Sequence, residues 1–174
     1  MKLLVVVDYQ NDFVSGSLGF PGAEKLEGPI LKKIQQYIID GDEVVFTLDT
    51  HASNYLNTEE GRNLPVPHCI KGTDGHKLYG NVSRISKFAS AVFEKGTFGS
   101  EALFEYIRDG KYDQIELCGL ASNICVLSNA VIAKTAAPYA RITVDAGCTS
   151  CADPVMNEKA LDVMQSFQIE ITGR

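Results

Sequence analysis

Leu3 to Val7 is an unbroken apolar run that stops at Asp8. Such a run reads as a strand buried on both faces, as in a parallel sheet. Leu26, Ile30, Ile34 and Ile38 then recur at helical spacing, and Gly41-Asp42 turns the chain into a second strand, Glu43 to Leu48. Further strands are expected at Ala91 to Glu94, Gln114 to Cys118, Arg141 to Asp145 and Gln168 to Ile171. Helical stretches fall between them. Ser100 caps a short helix to Arg108 that turns Leu103, Phe104 and Ile107 inward. Ser122 or Asn123 caps another, to about Thr135. Asp153 followed by Pro154 opens the last, with Met156, Ala160, Val163 and Phe167 as its apolar face. The stretch from Asp49 to about Gly80 fits neither period and holds Pro65, Pro67 and all three histidines. A loop that long in a compact domain usually serves function.

Strands alternating with helices predict an α/β fold: a single domain, residues 1–174, with a parallel sheet of about six strands and helices on both faces. No repeat, low-complexity segment or linker divides it. In such sheets ligands bind beyond the carboxyl ends of the strands.

Composition narrows the setting. With 174 residues the chain suits one domain with a proper core. Its net charge of −6 and the absence of a long basic run argue against nucleic acid as a partner. The apolar start is short and ends at an acid, so it reads as a buried strand rather than a leader. No stretch is long enough to cross a membrane. Five cysteines without framework spacing point to a reducing, cytoplasmic setting. Cys148-Thr149-Ser150-Cys151 is a CxxC with no second pair to complete a zinc knuckle, and it reads as a plain turn before a helix.

Three residues then stand together. Asp8 ends the first strand, Lys95 follows the third and Cys125 follows the fourth, so all three project at one sheet edge. Cys125 lies a few residues past a strand, at a helix start, where the dipole and free N–H groups lower a thiol's pKa and can hold an oxyanion. Lys95 favours the thiolate by charge, and Asp8 can take the thiol proton and hand it to a leaving amine. Taken singly, Cys125 reads as a small buried hydrophobe, Asp8 as a cap and Lys95 as a surface charge. Their convergence on one edge gives them a joint chemical meaning. A second cluster is Asp49-Thr50-His51 with His68, two imidazoles and a carboxylate that suit zinc, iron or manganese. His76 has no matching partner and is expected at the surface.

The motifs Asp8-Tyr9-Gln10-Asn11-Asp12-Phe13, Glu94-Lys95-Gly96 and Gly119-Leu120-Ala121-Ser122-Asn123-Ile124-Cys125-Val126 resemble those of the isochorismatase-like cysteine hydrolases, nicotinamidase branch. The resemblance spans nearly the whole chain. It implies a catalytic triad of Asp8, Lys95 and Cys125, an oxyanion hole from the N–H groups of Ala121 and Cys125, and a cis peptide just before Ala121. It also implies that Asp49, His51 and His68 bind a metal that holds a pyridine nitrogen, with Glu60 as a further ligand directly or through water. Phe13 and Leu18 resemble pocket-wall positions, and Phe98 divides evenly between pocket and core. The implied activity is hydrolysis of a small-molecule amide, nicotinamide to nicotinate and ammonia. Several family members associate, which leaves a homo-oligomer open. Two departures touch the pocket: the family often has a Trp-Pro pair near the metal histidine, whereas this chain has no Trp and carries Leu64-Pro65-Val66-Pro67 there, and the segment between Lys95 and Ser100 is short. Two rival readings follow, a carbamoyl or ureido hydrolase of the same family and a non-catalytic binding protein that kept the fold.

Overall fold

The protein is described here by a computed structural model that covers residues 1–174. Six strands form one sheet in the order β3-β2-β1-β4-β5-β6, every neighbouring pair parallel. They are β1 (Lys2–Val7), β2 (Glu43–Asp49), β3 (Ala91–Lys95), β4 (Gln114–Leu120), β5 (Arg141–Ser150) and β6 (Glu170–Thr172). The expected architecture therefore holds.

β1 is central because both of its faces are apolar. Leu3, Val5 and Val7 pack on one side with β4, β5 and three helices: α5 (Glu101–Asp109), α6 (Leu127–Ala136) and α7 (Pro154–Ser166). Leu4 and Val6 pack on the other side against Ile30 and Ile34 of α2 (Glu27–Asp40), with Val14 of the one-turn α1 (Asn11–Val14) and Val82 of the short α4 (Gly80–Ile85). The predicted caps form where the residues allow it. Ser100 Oγ accepts from Leu103 N at 3.1 Å, and Asp153 Oδ1 accepts from Val155 N at 2.8 Å.

Four expectations need correction. The buried face of α7 is Ala160, Leu161 and Met164, whereas Met156, Val163 and Phe167 are exposed. The helix carries apolar residues on two overlapping stripes, and docking beside Ile142 and Ile169 selects one of them. Met164→Ala should therefore cost about 2–5 kcal/mol, and Met156→Ala within about 0.5 kcal/mol of nothing, in paired denaturant melts. Phe104 is only half-buried. β5 runs on to Ser150 through a register shift against β4, so Cys148 sits within a strand and not in a turn. Finally, neither Ser122 nor Asn123 caps a helix. Residues Ser122–Val126 form a wide π-helical turn ahead of α6, entered from Ala121 without a side-chain cap.

The segment between β2 and β3 is irregular but ordered by its own contacts. Ahead of the Gly80–Ile85 helix it carries a single turn at Tyr55–Asn57 and a short helix, α3 (Glu59–Asn63), capped by Thr58 Oγ1 at 2.9 Å from Gly61 N. No helix is long and apolar enough to cross a membrane.

Candidate active site

The carboxyl ends of β1, β3 and β4 deliver Asp8, Lys95 and Cys125 to one point. Lys95 Nζ lies 2.6 Å from Asp8 Oδ2 and 3.6 Å from Cys125 Sγ. All three are buried. Asp8 turns sharply out of β1 at φ 44°, a region that side chains seldom adopt, and its Oδ1 accepts from Thr47 Oγ1 at 2.7 Å. Gly119 makes this crossing possible. A Cβ there would sit 2.0 Å from the Val7 carbonyl oxygen, so only glycine lets β4 pass so close to the end of β1. The peptide between Leu120 and Ala121 is cis, as the resemblance implied.

The electrostatics differ from the expectation for the thiol. Burial pushes the Cys125 thiol well above its ordinary value, the Asp8 carboxylate pushes it further, and Lys95 only opposes them. Enclosure of the sulfur and the facing carboxylate work against the expected helix-dipole activation. Burial also raises Asp8, against the pull of Lys95, while burial of Lys95 is overcome by Asp8, Cys125 and Asp49, which hold its ammonium protonated. Lys95 thus holds its proton against the Asp8 carboxyl, with the Cys125 thiol in contact beside them.

The second cluster lies next to the first. Asp49 Oδ2 is 3.0 Å from His51 Nε2 and 3.2 Å from His68 Nε2, and Asp49 Oδ1 is 3.7 Å from Lys95 Nζ. Glu60 Oε1 stands 3.6 Å from both Nε2 atoms. Burial would raise Asp49, but the two imidazoles and Lys95 hold its carboxyl well below the usual range. For His68, burial is outweighed by Asp49 and by the Val66 carbonyl, so its pKa is raised. His68 Nδ1 lies 2.8 Å from Val66 O while Nε2 faces the Asp49 carboxylate. With Nδ1–H donated to that carbonyl, Nε2 must meet either a proton or a cation. Asp49, His51 and His68 are the buried group able to hold a metal ion, and that ring geometry suits one.

Several residues that carry no assigned role in the sequence hold this arrangement. The fully buried Gln10 accepts from Asp49 N at 2.8 Å and donates through Nε2 to Asp49 O at 2.9 Å and His76 O at 2.8 Å. Asp12 Oδ2 accepts from Cys69 N at 2.7 Å, which fixes the turn after His68. Asn129 donates to Cys125 O at 2.8 Å and Phe98 O at 3.0 Å and accepts from Ser100 N at 3.1 Å, tying α6 to the loop after Lys95. Their signal was faint: a polar residue inside an apolar run, as at Asn129. His76 is half-buried and not a surface residue, with Nε2 2.8 Å from Thr50 Oγ1.

Two cavities open on this edge. One, of about 560 Å³, is bordered by His51, Glu60, Thr97 and Phe98. Phe98 is thus a pocket residue, with 46% of its surface exposed rather than in the core. The other, of about 300 Å³, is bordered by Phe13 and Leu18. The Phe13 ring centre is 5.5 Å from that of His68, which places this aromatic wall beside the Asp49–His51–His68 group.

The site defines a class: an α/β scaffold with a buried Asp–Lys–Cys cluster at the carboxyl edge of a parallel sheet, adjoining an Asp–His–His group able to hold a metal ion. Residues 2–173 match the isochorismatase domain, and the chain belongs to the isochorismatase family. Its likeness is to the nicotinamidase/pyrazinamidase branch. It is 28% identical to the nicotinamidase/pyrazinamidase of Mycobacterium tuberculosis, over 98% of each chain. It superposes on the crystal structure of nicotinamidase PncA from Bacillus subtilis with a TM-score of 0.87, at 30% identity and 98% coverage of both chains. The pyrazinamidase of Pyrococcus horikoshii in complex with zinc aligns with a TM-score of 0.86, at 25% identity and 99% coverage of both.

Proposed function

We propose that the protein is an amidohydrolase that converts nicotinamide to nicotinate and ammonia through a cysteine thioester. The observation that carries this reading is the single contact cluster in which Lys95 Nζ lies within 2.6 Å of Asp8 and 3.6 Å of Cys125. The likeness to nicotinamidases supports the substrate.

In the first half-reaction the Cys125 thiol gives its proton to Asp8 as sulfur attacks the amide carbonyl, forming the C–S bond. The N–H groups of Ala121 and Cys125 receive the oxyanion. Collapse breaks the C–N bond, and Asp8 returns its proton to the departing ammonia. Water then attacks the thioester with Asp8 as base. The C–S bond breaks, and nicotinate and the thiol are restored. Lys95 stays charged throughout, held by Asp8 and Asp49, and offsets the negative charge at each transition state. A divalent metal, zinc by the precedent of the Pyrococcus protein, would be held by Asp49, His51 and His68, with Glu60 near enough to join directly or through water, and would orient the ring by its nitrogen. Phe13 and Leu18 wall the ring.

The test is ammonia release from nicotinamide and pyrazinamide by the purified protein. Release from both supports the reading. No release from either overturns it and directs the search to carbamoyl and ureido compounds.

A metal prediction follows from His68. Its raised pKa means that the ring keeps its proton to a higher pH than free imidazole, and a metal must displace that proton. Zinc affinity should therefore rise by about tenfold per pH unit between pH 6 and the pKa of His68, then level off. Competition titrations with a chromophoric chelator would measure this, and a flat profile from pH 6 to 8 would contradict the assignment.

A further inference from the structure

Asn129 is fully buried in α6, and its carboxamide engages both of its polar atoms. Nδ2 donates to Cys125 O at 2.8 Å and to Phe98 O at 3.0 Å, and Oδ1 accepts from Ser100 N at 3.1 Å. The partners fix which way the amide points, because two are carbonyls and the third is an N–H. The bond to Cys125 is local, to the carbonyl four residues back. The other two leave the helix and grip the loop after Lys95 on either side of Gly99.

That loop touches the reaction centre through its backbone. Lys95 Nζ donates to Thr97 O at 3.0 Å, the carbonyl next in the chain to the one that Asn129 holds. An ammonium serves three acceptors, and Lys95 has three close by: Asp8 Oδ2 at 2.6 Å, Thr97 O, and Cys125 Sγ at 3.6 Å. Two fixed acceptors leave a tetrahedral ammonium no freedom to turn, so Asp8 and Thr97 O together set where the third N–H points. Without Thr97 O the ammonium would turn toward the carboxylates of Asp8 and Asp49, which are stronger acceptors than a buried thiol. One carboxamide thus grips both partners of the Lys95–Cys125 contact, the cysteine by its own carbonyl and the lysine through the loop.

We propose that Asn129 is a positioning residue for the nucleophile: by holding Phe98 O and Ser100 N it keeps Thr97 O on the Lys95 ammonium, and so keeps a Lys95 N–H on the Cys125 sulfur. The consequence for turnover rests on the amidase reading above. When the thiol gives up its proton, the sulfur becomes an anion in a buried site, and a donor already aimed at it stabilises that anion with no rearrangement. A loop free to drift would leave the same lysine charged but turned elsewhere.

The experiment follows labelling of Cys125 by iodoacetamide at pH 7, read by peptide mass spectrometry, alongside kcat for nicotinamide. The substitutions are Asn129→Thr and Asn129→Leu, each alone and combined with Lys95→Met, and denaturant melts establish that each variant is folded under the assay conditions. The threonine hydroxyl still reaches the carbonyl four residues back, at Cys125, and is too short for the loop. Both Asn129 substitutions should slow labelling and lower kcat by about tenfold, the worth of one hydrogen bond to a charged group. Beside Lys95→Met they should change labelling by less than about twofold, since they act through an ammonium that is gone. Unchanged labelling in Asn129→Thr overturns the proposal, as does faster labelling, which would make the loop only a cover. Slowing that persists beside Lys95→Met overturns it too. Where Asn129→Leu or Lys95→Met fails to fold, the direction of the change in Asn129→Thr decides. Absence of ammonia release from the wild type overturns the amidase reading instead, and the labelling rates still decide the role of Asn129.

Discussion

Cys125→Ala should lower ammonia release from nicotinamide by at least about 10⁴-fold, because it removes the atom that forms the covalent bond. The rest of the site should survive. The sulfur lies in the core cluster with Val126, Ala130 and Leu161, so its loss leaves a small hollow that costs on the order of 1 kcal/mol. No hydrogen bond joins the side chains of Asp49, His51 and His68 to the thiol, and Lys95 Nζ stands 3.7 Å from Asp49 Oδ1 and 3.6 Å from the sulfur, so zinc content should match that of wild type. Zinc by mass spectrometry and ammonia by a coupled assay test both halves on one sample. A variant that keeps a tenth of wild-type turnover would remove the thioester route. It would favour a metal-only hydrolase, which His51→Ala should then abolish. A binding protein that merely kept the fold would show no turnover in wild type and no change in ligand affinity in the variant.

Asp8→Asn separates proton transfer from thiol reactivity. Turnover should fall about 10³-fold, the usual worth of a positioned general acid–base group. The thiol should respond in the opposite sense. Asp8 raises its pKa and Lys95 lowers it, so neutralising the carboxylate leaves Lys95 acting unopposed by its neighbour. The thiolate fraction at pH 7 then grows, and iodoacetamide should label Cys125 about tenfold faster while turnover is nearly gone. Peptide mass spectrometry distinguishes Cys125 from the four other buried cysteines. Slower or unchanged labelling would show that Asp8 does not govern the thiol. The same change strands Lys95 without its 2.6 Å partner. Asp49 remains near it, so the loss of stability should be on the order of 3 kcal/mol.

Much of the fold was legible in one dimension, because a parallel sheet buries both faces of its central strands. Leu3 to Val7 reads as such a strand, and the Asp153-Pro154 pair as a helix start, and both stand so in the structure. Where two apolar stripes overlap, as on α7, the chain offered a choice that packing made: Leu161 and Met164 went inward while Val163 and Phe167 stayed out. The CxxC looked like a turn because Ala146-Gly147 interrupts the strand pattern, yet a register shift carries β5 through it.

Residue identity and order alone determined the α/β class, the edge at which Asp8, Lys95 and Cys125 would meet, and the Asp49, His51 and His68 set. The first two follow from local periodicity and from the rule that strand ends share an edge; Asp49 and His51 pair by their spacing along an extended segment, and His68 joins them through the motif resemblance. Tertiary structure alone decided how the charges balance. Whether Cys125 rests as thiol or thiolate depends on enclosure and on which of two opposite charges stands nearer, and neither distance is written in the order of residues. The same holds for Gln10 and Asn129. Each is an unremarked amide in the chain, and only the three-dimensional neighbourhood shows which backbone groups it joins.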